Sequence, residues 1–347
     1  MAASRFRRRG GFALPAVLAV TGVVTLVFIV ALTALASLNA EAASARQRVR
    51  FLQRAMTAEA TLAYLAATEP IRPFGISVND ARAVDDFGAP AARRDVSGGV
   101  VAPVRLDGRR YLLDVHGPLV VALRDEAGMI NLSLLGEPAY SRLMDRLGVP
   151  HAQRGALLAR HQDYSDTDDL SQPNGAEARE YSDGGPANRR LLRPSEWLSV
   201  LGAREATDRR RWRELRDDLA ADPASGAFNI NTASAAVLGI QFGLTEDQAQ
   251  AAIRAREAGP LTSLDALAAA TGAAIAQDFE RVYFYPSGMI VFTLRDTRSA
   301  WVYRGRLSIT PTGLEQPVWI DQTELSEAPG RAAADTSNAT RFPFTPR

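Results

Sequence analysis

The sequence predicts an α+β fold carried on one long N-terminal helix, and three observations predict it. A charge-free stretch of 27 residues, 12–38, runs without a break into an amphipathic pattern that ends only at Pro70. Alternating apolar runs with turn signals cluster at 104–123 and return at 289–320. Between them lie about 150 residues of helical pattern. One β-sheet interrupted by a helical insertion accounts for that order; two domains in series is the simpler alternative. A chain of 347 residues has room for two or three domains.

The helix comes first. At 1.5 Å per residue the charge-free stretch reaches roughly 40 Å, enough for a hydrocarbon core of about 30 Å. A secretory signal core holds only about 7–15 apolar residues before a small-x-small cleavage site. Arg5, Arg7, Arg8 and Arg9 precede the stretch, so the positive-inside rule keeps them cytoplasmic and puts the chain beyond about residue 40 on the other side. From Glu41 to Glu69, Val49, Leu52, Met56, Ala60 and Tyr64 read as the apolar stripe, against Arg46, Arg50, Arg54 and Glu59.

The strands follow. Val104–Leu106, a turn at Asp107-Gly108, and Tyr111–Val115 read as a type I′ hairpin. Leu119–Leu123 is a third strand, leading into the turn Asp125-Glu126-Ala127-Gly128-Met129-Ile130-Asn131-Leu132. Helices are expected over Tyr140–Leu147, His151–His161, Pro194–Leu201 and Thr207–Leu219, with a polar loop over 163–190. Three short helices follow Phe228–Thr232. Their expected caps are Thr232, Thr245 with Gln248 as a capping box, and Thr262 with Asp265. Met289–Leu294, Trp301–Thr310 and Val318–Ile320 return to strand, and the Pro-, Ala-, Ser- and Thr-rich 326–347 reads as a flexible tail.

Composition excludes several chemistries. There is no Cys and no Lys; the 40 basic residues are all Arg, against 39 acids. Thiol nucleophiles, disulfides, Cys-ligated metals and Lys catalysis are therefore out, and a net charge of +1 does not suit a dedicated polyanion binder. The three His are scattered, and no enzyme is expected.

Two constellations remain. The loop 163–183 holds seven acids and one Arg. Hard oxygen donors on a flexible loop suit Ca²⁺, which accepts six to eight oxygens; a solvated acidic loop and a catalytic carboxylate pair are the alternatives. An EF-hand does not fit, because counting from Asp166 the fifth and sixth positions are Leu170 and Ser171. The second constellation, 228–254, looks like a helix-hairpin-helix. Such hairpins can hold nucleic-acid phosphates on a Gly-rich turn. Here the turn has one glycine, Gly243, and Glu246 and Asp247 open the next helix, so a structural hairpin is favoured. A membrane-anchored DNA-binding protein is the alternative reading of the whole chain. An anchored hydrolase using paired acids is a third.

The junction Arg9-Gly10-Gly11-Phe12 resembles a type IV prepilin-like leader, in which a dedicated peptidase cuts after the Gly. A plain signal anchor with incidental glycines is the other reading. Cleavage between Gly11 and Phe12 would make Pro15 the fourth mature residue, tolerable in a helix's first turn. Ala16 takes the fifth place, where that family usually has Glu. The later motifs resemble, in the same order, those of the general secretion pathway protein K family, the large minor pseudopilins of type II secretion. They are the Asp125–Leu132 turn, the loop from Asp163 through Asn174-Gly175-Ala176-Glu177 to Tyr181, Asn188-Arg189-Arg190-Leu191, Ser195-Glu196, Ile230-Asn231-Thr232-Ala233-Ser234 and Leu261-Thr262-Ser263-Leu264.

The resemblance implies a leader (1–11), a transmembrane and stalk helix (12–70), and a pilin-like antiparallel sheet in two parts (71–130 and 286–325). An inserted α-helical domain (131–285) and a tail (326–347) complete it. It implies an inner-membrane, single-pass subunit with its bulk in the periplasm and Phe12 methylated after cleavage. Such a subunit caps or initiates a pseudopilus with the minor pseudopilins I and J and other pseudopilus subunits, after processing by a prepilin peptidase, without nucleic acid. A subunit at the tip has no neighbour above it for a fifth-position Glu to serve. The family's helical domain binds calcium, which makes Asp163, Asp166, Asp168, Asp169 and Glu177 the candidate ligands. The family pattern often has further acids after Gly-Ala-Glu, where this chain has Ala178 and Arg179.

Overall fold

A computed structural model describes residues 13–78, 103–182, 185–221, 226–275, 281–310, 316–328, 330 and 332–344. Gly11 and Phe12, the expected cleavage junction, lie outside the described residues. The chain divides into two compact units, residues 1–54 and 55–347.

Helix α1 (Ala13–Thr68) is one continuous element, as the uninterrupted apolar and amphipathic patterns require. Its segment 14–38 is exposed throughout, which suits a lipid surround and no protein core. In the second unit the stripe is rotated from the one read in the sequence. Ala55, Ala58, Thr61, Leu62, Leu65 and Ala66 are buried, while Met56 and Tyr64 are more than half exposed. The contact face mixes sizes, with Ala55 and Ala58 beside Leu62 and Leu65, so the four-residue apolar spacing alone does not fix which side of the helix turns inward. Tyr303 Oη donates to Glu59 Oε2 at 2.5 Å, tying this helix to the sheet.

Three short strands come next: β1 (Ile71–Arg72), β2 (Gly75–Ile76) and β3 (Val104–Arg105), paired in that order. The main sheet opens with β4 (Asp107–Asp114) and β5 (Pro118–Asp125). The expected Asp107-Gly108 hairpin is therefore corrected. β3 pairs with β2, and the chain crosses from one sheet to the other at Leu106, whose N–H reaches Phe74 O while its carbonyl accepts from Asp125 N. Asp107 and Gly108 start β4 and sit where its register against β5 shifts, a β-bulge.

After β5 the chain leaves the sheet. It passes through β6 (Ile130–Asn131), α2 (Glu137–Arg146), α3 (His151–Ser165), a 3₁₀ turn over Pro194–Ser199, α4 (Ala203–Ala206) and α5 (Arg209–Leu215). β7 (Leu219–Ala220), β8 (Phe228–Asn229), α6 (Ala235–Phe242), α7 (Glu246–Ala258), α8 (Leu264–Thr271) and β9 (Val282–Tyr283) follow. It re-enters with β10 (Met289–Asp296), which pairs antiparallel with β5 from Ile290 opposite Asp125 to Asp296 opposite Leu119. β11 (Trp301–Ile309), β12 (Val318–Glu327) and β13 (Thr340–Arg341) complete the order β12-β11-β10-β5-β4-β13. The helical block is thus inserted between two neighbouring strands.

The expected loose tail differs in part. β12 runs to Glu327, and β13 adds parallel to β4. Phe342 is buried with its ring edge-on to Tyr111 at 5.6 Å. A composition of small and polar residues says nothing of one buried aromatic.

The helical block has its own core, including Tyr140, Leu143, Leu157, Trp197, Leu238 and Leu267. Burying each such side chain is worth about 1.5–3 kcal/mol. Trp197 Nε1 donates to Tyr140 Oη at 3.0 Å, and His161 stacks on the Tyr140 ring. Burial lowers the His161 pKa to about 4 from the ordinary 6.5. The folded state therefore keeps His161 neutral while the unfolded chain binds its proton below about 6.5. This contribution is complete above pH 6.5 and falls, by on the order of 3 kcal/mol, as pH drops toward 4. Urea melts at pH 6.5 and 4.5 should show that loss, and His161→Gln should flatten it. Equal slopes in both proteins would show that His161 does not titrate as argued.

Candidate functional site: a buried carboxylate joint and an acidic loop

Asp125 ends β5 at the point where the insertion departs. It is 1% exposed and accepts five hydrogen bonds. Oδ1 takes Ala127 N (3.2 Å), Ser287 N (2.9 Å) and Ser287 Oγ (2.8 Å). Oδ2 takes Asn229 Nδ2 and Thr232 Oγ1, each at 2.9 Å. One carboxylate thus joins the exit of the insertion, its return at Ser287, and the Asn229–Thr232 turn. Burial pushes this carboxyl upward, and the donors oppose that shift. Every partner shown is a donor, so the ionised form is the one this site accommodates. Gly128 belongs to the joint by close approach: a Cβ there would stand 2.5 Å from Thr232 Oγ1 and 2.8 Å from the Thr232 carbonyl carbon.

The neighbouring asparagines continue the joint. Asn229 Oδ1 accepts from Asn231 N at 2.9 Å. Asn231 is 1% exposed; its Oδ1 accepts from Leu261 N, and its Nδ2 donates to Leu261 O and Phe284 O. Buried Arg256 donates to Ile230 O and Ala233 O. The Ile230–Ser234 and Leu261–Leu264 motifs are therefore one polar network. With Thr232 engaged by Asp125, the cap of α6 is Ser234, whose Oγ accepts from Val237 N; for α8 it is Ser263, not Thr262. The Thr245–Gln248 capping box of α7 is present.

The acidic loop begins inside a helix, because α3 continues to Ser165. Asp163, on its last turn, is fully buried and organises the loop through its carboxylate. It accepts from Ala176 N at 2.9 Å and from Gln172 N at 3.2 Å. Gly175 is required by that fold-back, since a Cβ there would run into Asp163 Oδ2. Asp168 Oδ1 accepts from Leu170 N at 2.9 Å, and Asp169 Oδ1 from Asn188 Nδ2 at 3.0 Å. Both residues are exposed.

Asp166 and Glu177 differ from these. Asp166 Oδ1 and both carboxylate oxygens of Glu177 are buried without a hydrogen-bond partner, and Glu177 as a whole is 7% exposed. Burial pushes the Glu177 carboxyl up, and the charges of Asp163, Asp166, Asp169 and Asp168 push it further. Asp166 is raised by burial, then by Asp168 and Asp163. Buried carboxylate oxygens with no donor demand a proton or a cation. The donor set is all hard oxygen, with exposed Asp168 and Asp169 beside it, so the residues fit a Ca²⁺-type ion. Among the described residues, no three His, Asp or Glu side chains are grouped tightly enough to hold a metal as they stand.

The hairpin α6–α7 turns at Gly243. Arg142 binds the carbonyls at its first end, Ile240 O at 2.6 Å and Gln241 O at 2.7 Å. Glu246 and Asp247 occupy the first turn of α7, where a phosphate would have to dock. The hairpin is a packing element, and nothing in it supports the DNA-binding alternative.

Two family models match the chain, both described as type II secretion system (T2SS), protein K, over residues 122–216 and 228–281. No curated protein matches the sequence. A chain of the crystal structure of the GspK-GspI-GspJ complex from the enterotoxigenic Escherichia coli type 2 secretion system superposes with a TM-score of 0.54 and 16% identity. That match covers 82% of this chain and 99% of that one, and it is a likeness of fold. The two family matches run in chain order through the insertion and take in Asp125, the acidic loop and the asparagine joint; this part of the chain is similar to type II secretion system protein K.

Proposed function

We propose that this protein is a structural minor pseudopilin that caps or initiates the type II pseudopilus, a non-enzymatic part of the export machinery. The observation that carries this reading is the helical domain inserted between adjacent strands β5 and β10, on a unit preceded by a long apolar helix. The family matches fall on that insertion. In this reading 14–38 anchors the chain in the inner membrane. The second unit lies in the periplasm, and the partners are the minor pseudopilins I and J. The GspK-GspI-GspJ complex, one chain of which is similar to this one in fold, supports that choice of partners.

Processing by a prepilin peptidase at Gly11|Phe12, with methylation of Phe12, is part of the same reading. Intact mass and N-terminal sequencing of the chain, expressed with and without the peptidase, should give a peptidase-dependent start at Phe12. An unchanged start in both samples would make this a plain signal anchor.

We also assign the acidic loop to calcium. Asp166 and Glu177 supply the buried oxygens, Asp168 and Asp169 complete the donor set from solvent, and Asp163 positions the loop. When bound, the ion neutralises the buried carboxylates and fixes the loop.

A further inference from the structure

The two edges of the main sheet are treated differently. The β4 edge is covered by the chain's own C-terminal segment, through β13 and the buried Phe342, whose N–H reaches Leu112 O at 2.9 Å. The opposite edge is β12, ten residues long and bonded only on its β11 side among the described residues. It has no internal proline. Trp319 is 49% exposed and Ile320 39%. Leu192, whose carbonyl accepts from Gln322 Nε2, adds a third large apolar side chain at 52% exposure. An open edge strand presents unpaired N–H and C=O groups that template another strand, and proteins usually blunt such edges. Here blunting is partial: Asp321 sits at a register shift and is held by Arg306.

We propose that the outer edge of β12 is a docking site for an extended strand of a different protein subunit, apolar where it meets Val318–Ile320 and basic where it meets Glu324. A second copy of this chain is a poor occupant. Two β12 edges paired antiparallel about Gln322–Thr323 set Glu324 of each copy against Asp321 of the other, and like charges directly opposed destabilise a ladder. The incoming strand gains main-chain hydrogen bonds from the edge and selectivity from the two ends. This site rests on the pseudopilin reading for the identity of its occupant.

The test uses the full chain in detergent with purified I and J subunits of the same system. Hydrogen exchange is followed over 318–327 with and without the partners. Complex formation should slow exchange in β12 at least tenfold. Ile320→Thr and Glu324→Gln, both at exposed positions and both neutral against their cross-strand partners Leu307 and Arg304, should each weaken the complex fivefold or more with Tm nearly unchanged. A complex that forms while β12 exchanges unchanged and both variants bind within twofold overturns the docking site and leaves the pseudopilin reading standing. Failure of I and J to bind the unaltered chain overturns the assigned partners and the docking site together.

Discussion

Asp125→Asn should destabilise the second unit by about 3–5 kcal/mol, because it exchanges an acceptor for a donor inside a ring of donors. The replacement is isosteric, so packing does not explain the loss. The new amide must turn its NH₂ toward either the Ser287 pair or the Asn229–Thr232 pair, and each of those contacts is 2.8–2.9 Å. At roughly 2–4 °C per kcal/mol for a domain of this size, Tm should fall by about 10 °C. Thr232→Val removes one donor and leaves the carboxylate the other four, so its loss should be nearer 1 kcal/mol. The double variant should lose less than the sum, since the two residues share one bond. Calorimetry on the three variants checks this. A Tm for Asp125→Asn within 2 °C of the unaltered chain would mean the carboxyl already carries a proton and does not act as an ionised joint.

The parts of the structure that were legible in the sequence are those whose causes are local. The Thr245–Gln248 box needs only four residues in a row, and it is present as expected. The long helix is legible because its apolar run has no competing signal for 27 residues. The insertion was legible as two strand blocks around a helical one. What remained hidden has distant causes. Asp-Gly reads as a hairpin turn until a bulge and an earlier strand claim the residues on either side of it. Thr232 looks like a helix cap, but its hydroxyl bonds to Asp125, 107 residues away. Ser287 lies 162 residues from the carboxylate it serves, and no spacing rule joins them. The Asp125 turn was visible as a motif, yet its role as the joint was not. In the acidic loop the composition could not separate Asp163, already bonded to the loop backbone, from Glu177, which has no donor.

That separation gives Glu177 and Asp163 opposite expected behaviours. Above the raised pKa of Glu177, the folded state holds an ionised carboxylate that burial and four neighbouring acids disfavour, so the charge subtracts from stability. Glu177→Gln removes that charge. In chelator it should raise Tm above that of the unaltered chain. Ca²⁺ added at about 100 times its Kd stabilises a specific site by about 2.7 kcal/mol, so the unaltered chain should gain about 5 °C or more. Glu177→Gln should lose most of that gain, and the two melting curves should cross as calcium is raised. Asp163→Asn should behave differently, falling in Tm with and without calcium, because the carboxylate that gathers Gln172 and Ala176 is lost in both conditions. Magnesium should substitute poorly, since it prefers six near-ideal positions with several waters to a cluster of carboxylates. A Tm for the unaltered chain that responds to neither chelator nor Ca²⁺ would remove the metal assignment. It would leave Glu177 protonated in the fold, and acidification alone would then stabilise the loop.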